Sequence, residues 1–277
     1  MVEFGILGSL RLGVDGGDLA VGGARRRGLV ARLLIDTNQV VAFERLVDDV
    51  WDGSSAAAAT ARTYVWRLRT LLGPERILTR SPGYVLVVRT GELDAAHFLA
   101  LVEQARDRTL PPQDAVDLLD QADRLWRGPA LAEFADLPWA RPAAQRLTRW
   151  RLDATADRLD ALLRCGRARE VAGEAESLVA WHPLDERLWG LLVVAHYRCG
   201  RQADALRSCE QARRLLREEL GIAPCPALQA LEQAVLRQDL APGLVVAEPE
   251  PERERGAGHP GGRPAPVVGR PVVSLGG

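Results

Sequence analysis

Residues 60–86 read TARTYVWRLRTLLGPERILTRSPGYVL, and their pattern predicts the fold of the first part of the chain. Its apolar residues recur at the spacing of one helix face. They are Ala61, Val65, Leu68 and Leu72. A glycine and a proline at positions 73 and 74 end the pattern, as they commonly do after a helix. Two short apolar runs then flank a Ser-Pro-Gly turn, so the sequence predicts a helix followed by a β-hairpin.

The opposite face of this predicted helix carries cations, hydroxyls and one tryptophan. At about 100° per residue, five side chains point away from the apolar face, with Arg69 at its flank. They are Arg62, Thr63, Trp66, Arg67 and Thr70. Residues 54–91 contain six arginines and one acidic residue, a local charge of +5 in a chain whose net charge is −1. Because a guanidinium group can bind guanine edges through two donors and can also bind phosphates, this face favours DNA binding.

The elements before this helix complete a recognisable arrangement. An alternating strand pattern occupies residues 4–12, and two helix patterns follow at 29–34 and 43–51. The first helix opens on Arg25, Arg26 and Arg27, where phosphate contacts would add salt-dependent affinity. Arg80 lies at the hairpin tip. A strand, three helices and a basic hairpin predict an α+β winged helix-turn-helix DNA-binding domain over residues 1–92, with one helix in the major groove and the wing beside it.

Two other interpretations of the basic face stay open from the residues alone. The arginines could form a solvated face paired with Asp48, Asp49 and Asp52. Alternatively, the winged helix could dock a protein and not DNA, which would make the chain a protein-interaction adaptor.

Residues 93–241 have an almost purely helical pattern, with seven predicted helices. These are 95–109, 113–127, 139–164, 168–181, 184–198, 202–220 and 226–238. The residues Arg-Cys-Gly-Arg at 164–167 recur at 198–201, a shift of 34 residues that is typical of tetratricopeptide repeats. We therefore expect an all-α, tetratricopeptide-like domain. Residues 242–277 contain 7 prolines and 8 glycines and are predicted to be a disordered tail.

The sequence carries no pattern typical of an enzyme or a metalloprotein. Its four histidines form no metal-binding motif, its four cysteines form no CxxC pair, and phosphate-binding glycine motifs are missing. No run of 18 apolar residues and no secretory signal occur. We therefore predict a cytoplasmic protein with no catalytic residues, no metal, no cofactor and no membrane association.

Long ordered segments of the chain resemble the Streptomyces antibiotic regulatory protein (SARP) family. They include FGILGSLRL, the stretch quoted above, LWRGPALAEFADLPWA, HPLDERLWGLL and LREELGIAPCPALQALEQAVLRQD. The resemblance implies an OmpR-type winged helix and a bacterial transcriptional activation domain. It further implies binding to direct repeats in promoter DNA and recruitment of RNA polymerase, including its sigma factor, in the nucleoid. The regulated genes would be those of a secondary-metabolite cluster.

The resemblance also assigns roles to residues of the quoted stretch. It places Trp66 and Arg67 where base-facing residues lie, Arg69 where a backbone contact is common, and Arg80 on the wing. The chain departs from the family at Trp66, where a small or basic residue is common, and at Cys209, where tyrosine is common. Ala42 stands where a Ser or Thr cap often begins the second helix, a loss worth about 1 kcal/mol.

Two further points stay open at this stage. Residues 266–273 read PVVGRPVV, and larger relatives resume near such a motif with a nucleotide-binding domain. No phosphate-binding loop follows it, so we expect no ATPase module, although a piece of a longer ATP-dependent regulator would carry the same residues. Homodimer formation is also left open.

Overall fold

The N-terminal part of the chain is built from two small antiparallel sheets and three helices. The computed structural model describes residues 2–51, 53 and 57–240, so the predicted tail at 242–277 lies outside the described residues. The first sheet has the order β1-β2-β3, with Phe4 opposite Leu12. Its strands are β1 (Val2–Gly5), β2 (Arg11–Val14) and β3 (Gly17–Asp18).

The three helices and the second sheet follow in the predicted order. The elements are α1 (Ala24–Ile35), β4 (Val41–Ala42), α2 (Phe43–Trp51), α3 (Ala57–Leu72), β5 (Ile77–Arg80) and β6 (Gly83–Leu86). The second sheet has the order β4-β6-β5, so the predicted hairpin is extended by β4. A Cβ at Gly83 would lie 1.8 Å from the carbonyl oxygen of Val41, so only glycine allows β4 and β6 to approach this closely. This arrangement confirms the predicted α+β winged helix.

The remaining described residues form seven helices, as the sequence predicts. They are α4 (Asp94–Ala105), α5 (Pro112–Arg124), α6 (Arg141–Arg164), α7 (Ala168–Trp181), α8 (Glu186–Arg198), α9 (Gln202–Leu220) and α10 (Pro226–Arg237). Gly166 and Gly200 have left-handed φ angles of 79° and 76°, so the two copies of the repeated motif link their helices in the same way. The Nη1 atom of Arg198 in the second copy donates to the carbonyl of Leu163 beside the first, at 2.7 Å.

The winged helix and the helical region are joined by a dense set of hydrogen bonds. The carboxylate of Asp94 accepts from the backbone N–H groups of Ile6 and Leu7, at 2.9 and 3.1 Å. Leu131 donates in turn to the carbonyl of Ile6 at 2.9 Å. Glu133 accepts from the Leu10 N–H at 3.0 Å. Residues on both sides of position 92 therefore belong to one compact unit.

Replacing Glu133 by alanine is expected to lower the free energy of unfolding by about 1–3 kcal/mol, because the variant loses a charge-assisted hydrogen bond and leaves the Leu10 N–H unpaired. Arg27 donates to Glu133 through Nε at 2.6 Å and through Nη2, and this pairing lowers the pKa of Glu133. Urea unfolding of the full chain measures the change. Glu103→Ala, an exposed acid on α4, is the control. Equal stability of the two variants would contradict the proposed contribution of Glu133.

Candidate nucleic-acid interface

Helix α3 packs through the face that its periodicity predicts. Ala61, Val65, Leu68 and Leu72 are all buried, and Ala57 extends this face toward the start of the helix. The β-hairpin of β5 and β6 packs beside the helix. The outer side of α3 is consequently held in a fixed orientation and is left free of the core.

The outer side of α3 presents an exposed tryptophan between two arginines. Trp66 is 65% exposed, which is unusual for so large an apolar side chain. Arg62 and Arg67 are also exposed, and the Arg62 guanidinium lies 4.6 Å from the ring centroid of Phe43. Phe43 is the first residue of α2, and this cation–π contact with Arg62 could not be predicted from the sequence pattern.

Thr63 and Thr70 lie on the same outer side. Their hydroxyl groups donate to the helix backbone, Thr63 to Ala59 at 3.0 Å and Thr70 to Trp66 at 3.2 Å. A hydroxyl oxygen that donates in this way keeps its lone pairs and can still accept a hydrogen bond.

Arg69 has a different position from the other arginines of α3. Its Nε atom donates to the carbonyl of Ile77 at 2.7 Å, and its Nη2 atom donates to the Thr79 hydroxyl at 2.8 Å. Its guanidinium also lies 5.6 Å from the Tyr84 ring centroid. Through these three contacts with β5 and β6, Arg69 holds the hairpin against α3. Its contact with the DNA backbone stays a prediction.

The hairpin, which forms the wing, is anchored at both ends. At its tip, the Phe43 N–H donates to the carbonyl of Pro82 at 3.1 Å, and Arg80 is exposed. At its base, Arg76 donates to both carboxylate oxygens of Glu92, at 2.6 and 2.7 Å. Both side chains are only 5% exposed. Arg76 is therefore a buried structural cation, and the accessible positive charge near α3 is smaller than the local count of +5 suggests.

The three arginines that open α1 have three different surroundings. Arg25 is exposed, whereas the Arg26 guanidinium lies 5.7 Å from the Tyr64 ring centroid. Arg27 bonds to Glu133 and to the Leu10 carbonyl, so it joins the two parts of the chain. Phosphate binding by these three arginines stays a prediction, and of the three it is Arg27 that is bonded to a carboxylate in the described residues.

The acids near α2 do not neutralise the arginines of α3. Asp49 accepts from the buried Arg32 at 2.6 Å and lies 3.7 Å from Arg45. Within residues 2–51, 53 and 57–240, neither Arg62 nor Arg67 has a carboxylate partner, and the same holds for Arg80. Asp52, the third acid considered in the sequence, lies outside the described residues.

Among the described residues, no three His, Cys, Asp or Glu side chains form a group able to hold a metal ion. None of the described helices is long and apolar enough to cross a membrane.

Comparison with known proteins supports the family resemblance. Residues 93–236 match the family model of the bacterial transcriptional activator domain. The transcriptional regulator RedD of Streptomyces coelicolor is 37% identical over 251 residues, which cover 86% of this chain and 71% of RedD. The chain belongs to the SARP family.

Other relatives are similar to most of this SARP chain. The regulatory protein AfsR of S. coelicolor is 40% identical over 87% of the chain, but this chain spans only 25% of AfsR. The solved structure of Mycobacterium tuberculosis EmbR, in complex with a low-affinity phosphopeptide, matches with a TM-score of 0.80 and 33% identity. That match covers 87% of this chain and 67% of EmbR, and it supports a winged helix followed by a helical activator domain.

Proposed function

We propose that the chain is a sequence-specific DNA-binding transcriptional activator that uses the outer side of α3 and the wing. The observation that carries the proposal is that Arg62, Arg67 and Arg80 are exposed without a carboxylate partner in the described part of the chain. A surface of unpaired guanidinium groups on a helix and a hairpin matches the charge and the groove geometry of duplex DNA.

The contacts divide into base reading, backbone positioning and support of the interface. Arg67 and Trp66 at the centre of α3 would read base edges and thymine methyl groups in the major groove. Backbone or flanking contacts would come from a second set, which comprises Arg25, Arg26, Arg62, Thr63, Thr70 and Arg80. Arg27 and Arg69 would act through the contacts that hold α1 and the wing in place.

Membership in the SARP family supports proposals for the DNA target, the protein partner and the regulated genes. The DNA target would be direct repeats in promoters, and RNA polymerase with its sigma factor would be recruited by the bound protein. The regulated genes would belong to a secondary-metabolite cluster, and the protein would act in the cytoplasm, at the nucleoid. Two copies on adjacent repeats would form the dimer. No step of this activity requires catalysis, a metal or a cofactor.

Binding to promoter DNA from genes beside its own should weaken steeply as salt rises. Each phosphate contact contributes about −0.9 to the slope of log affinity against log salt, because bound cations release condensed counterions. Arg25→Ala should make the slope shallower by about 1, whereas Arg217→Ala, an exposed arginine on α9, should leave it unchanged. Fluorescence anisotropy at several salt concentrations measures both slopes. A salt-independent affinity would contradict the DNA-binding proposal.

One observation favours the adaptor interpretation. Trp66 is an exposed aromatic side chain of the kind that anchors protein interfaces. A complete absence of complex at low salt, on promoter DNA and random DNA alike, would favour a protein-docking winged helix.

A further inference from the structure

A cleft with a volume of about 1070 Å³ lies in the helical region, between α5, α6 and α7. Its walls include residues of all three helices and of the segment that precedes α6. Small-molecule sites commonly measure about 300–1,000 Å³, so this cleft has room for a sizeable organic ligand. None of the residues assigned to DNA binding lines it.

Large apolar side chains line part of the cleft. Phe98 from α4 and Leu119 from α5 lie beneath the cleft, where they are only 1% and 3% exposed and present little surface to a ligand. Leu152 and Leu178 contribute to the lining from α6 and α7. An apolar body placed against the half-buried Leu152 and Leu178 would be removed from water, which favours binding.

Most of the carboxylates that line the cleft are already paired. Asp123 accepts from Arg151 at 2.8 Å. Arg158 lies between Asp120 and Glu174, at 2.6 and 2.8 Å. The charges of these three carboxylates are therefore neutralised, and Arg151 and Arg158 are the arginines that neutralise them.

Two further lining arginines have no carboxylate partner among the described residues. Arg124, at the end of α5, and Arg141, at the start of α6, are both exposed. Within the described part of the chain, the one hydrogen bond of the Arg141 side chain is to the backbone carbonyl of Asp136, at 2.9 Å. Asp136 is the one lining carboxylate without an ion pair in the described residues. Two guanidinium groups without a carboxylate partner, against one such carboxylate, leave the cleft with an excess of positive charge.

We propose that this cleft binds an amphipathic small-molecule anion, with an apolar body against Leu152 and Leu178 and an acidic group on Arg124 and Arg141. A carboxylate, sulfonate or phosphate group would accept charge-assisted hydrogen bonds from both guanidinium groups. The ligand would occupy the helical region and leave α3 free to bind DNA.

Two dyes with the same aromatic body test the proposal. 8-Anilinonaphthalene-1-sulfonate carries a negative charge, and N-phenyl-1-naphthylamine does not. The folded full chain should bind the sulfonate dye with one-to-one stoichiometry and about tenfold more tightly than the neutral dye. Near-ultraviolet circular dichroism confirms that the chain stays folded, because partly unfolded chains also bind the sulfonate dye.

Three variants separate the cleft from other surfaces. Arg124→Gln with Arg141→Gln should weaken the sulfonate dye about tenfold and leave the neutral dye unchanged. Thr148→Trp, which fills the cleft from an exposed position on α6, should abolish binding of both dyes. Arg214→Gln with Arg217→Gln, an exposed pair on α9, should change neither affinity. Absence of stoichiometric binding, or binding that survives Thr148→Trp, would overturn the proposal. Equal affinity of the two dyes would overturn it as well.

Discussion

Replacing Glu92 by glutamine is expected to lower the free energy of unfolding by about 3–5 kcal/mol, because it removes one partner of a buried ion pair. Glutamine keeps the size of the side chain and removes its charge. The Arg76 guanidinium, with a side chain only 5% exposed, would then be a buried cation without its counter-ion. The Glu92 carboxylate also accepts from the Arg89 N–H at 2.7 Å, and that bond would be weakened too.

The loss should be specific to the buried pair. Glu75→Gln, an exposed acid next to Arg76, is the matched control and should change the free energy of unfolding by less than about 0.5 kcal/mol. Replacing both partners by apolar residues, Glu92→Leu with Arg76→Met, should restore much of the stability, because the desolvation cost of both charges disappears. Chemical unfolding measures all three variants. A Glu92→Gln variant as stable as the control would show that the pair does not contribute.

The same pair predicts how stability depends on pH. The two hydrogen bonds from Arg76 lower the pKa of Glu92 below its ordinary value. A lowered pKa in the folded state means that the contribution is present above the unfolded-state pKa, about 4.3, and is lost as pH falls through the folded-state pKa. The difference in stability between the wild-type chain and Glu92→Gln should therefore shrink on acidification below about pH 4.3.

If Arg67 reads a base edge as proposed, replacing it by alanine should cost about 1–3 kcal/mol of binding to promoter DNA, because two donors to that edge would be lost. The side chain lies at the centre of the outer side of α3, is exposed, and has no carboxylate partner in the described residues. Its removal should leave the fold intact, since the buried face of α3 is unchanged.

Affinity for random DNA distinguishes the two roles that Arg67 could have. A base contact predicts a loss on promoter DNA with little change on random DNA, whereas a phosphate contact predicts equal losses on both. Arg69→Ala is a useful comparison, because it should also loosen the wing and lower stability through the lost bonds to Ile77 and Thr79. An Arg67→Ala variant that binds promoter DNA as well as the wild type would contradict the proposed role of Arg67 in reading bases.

The exposed side of α3 could be predicted from the sequence because helix periodicity is a local property. Trp66 and Arg67 are exposed for the same reason that Val65 and Leu68 are buried. The seven later helices were predictable as well, since prolines and glycines mark their ends, although α4 ends at Ala105 and not at 109.

The engaged arginines could not be distinguished from the free ones in the sequence. Arg27 pairs with a glutamate 106 residues away, and Arg69 bonds to a strand that returns after a turn. In the sequence, each is one arginine among several in a basic segment, and its bonding partner is known only once the packing of distant segments is known. The cleft in the helical region was likewise not predicted, because it arises from the stacking of α5, α6 and α7 and not from any motif.

Hydroxyl-radical footprinting on promoter DNA from genes beside its own tests the central claim most directly. The proposal predicts protected tracts at direct repeats, with protection lost in Arg67→Ala and retained in Arg217→Ala. Uniform cleavage of that DNA by the wild-type protein at low salt would contradict it.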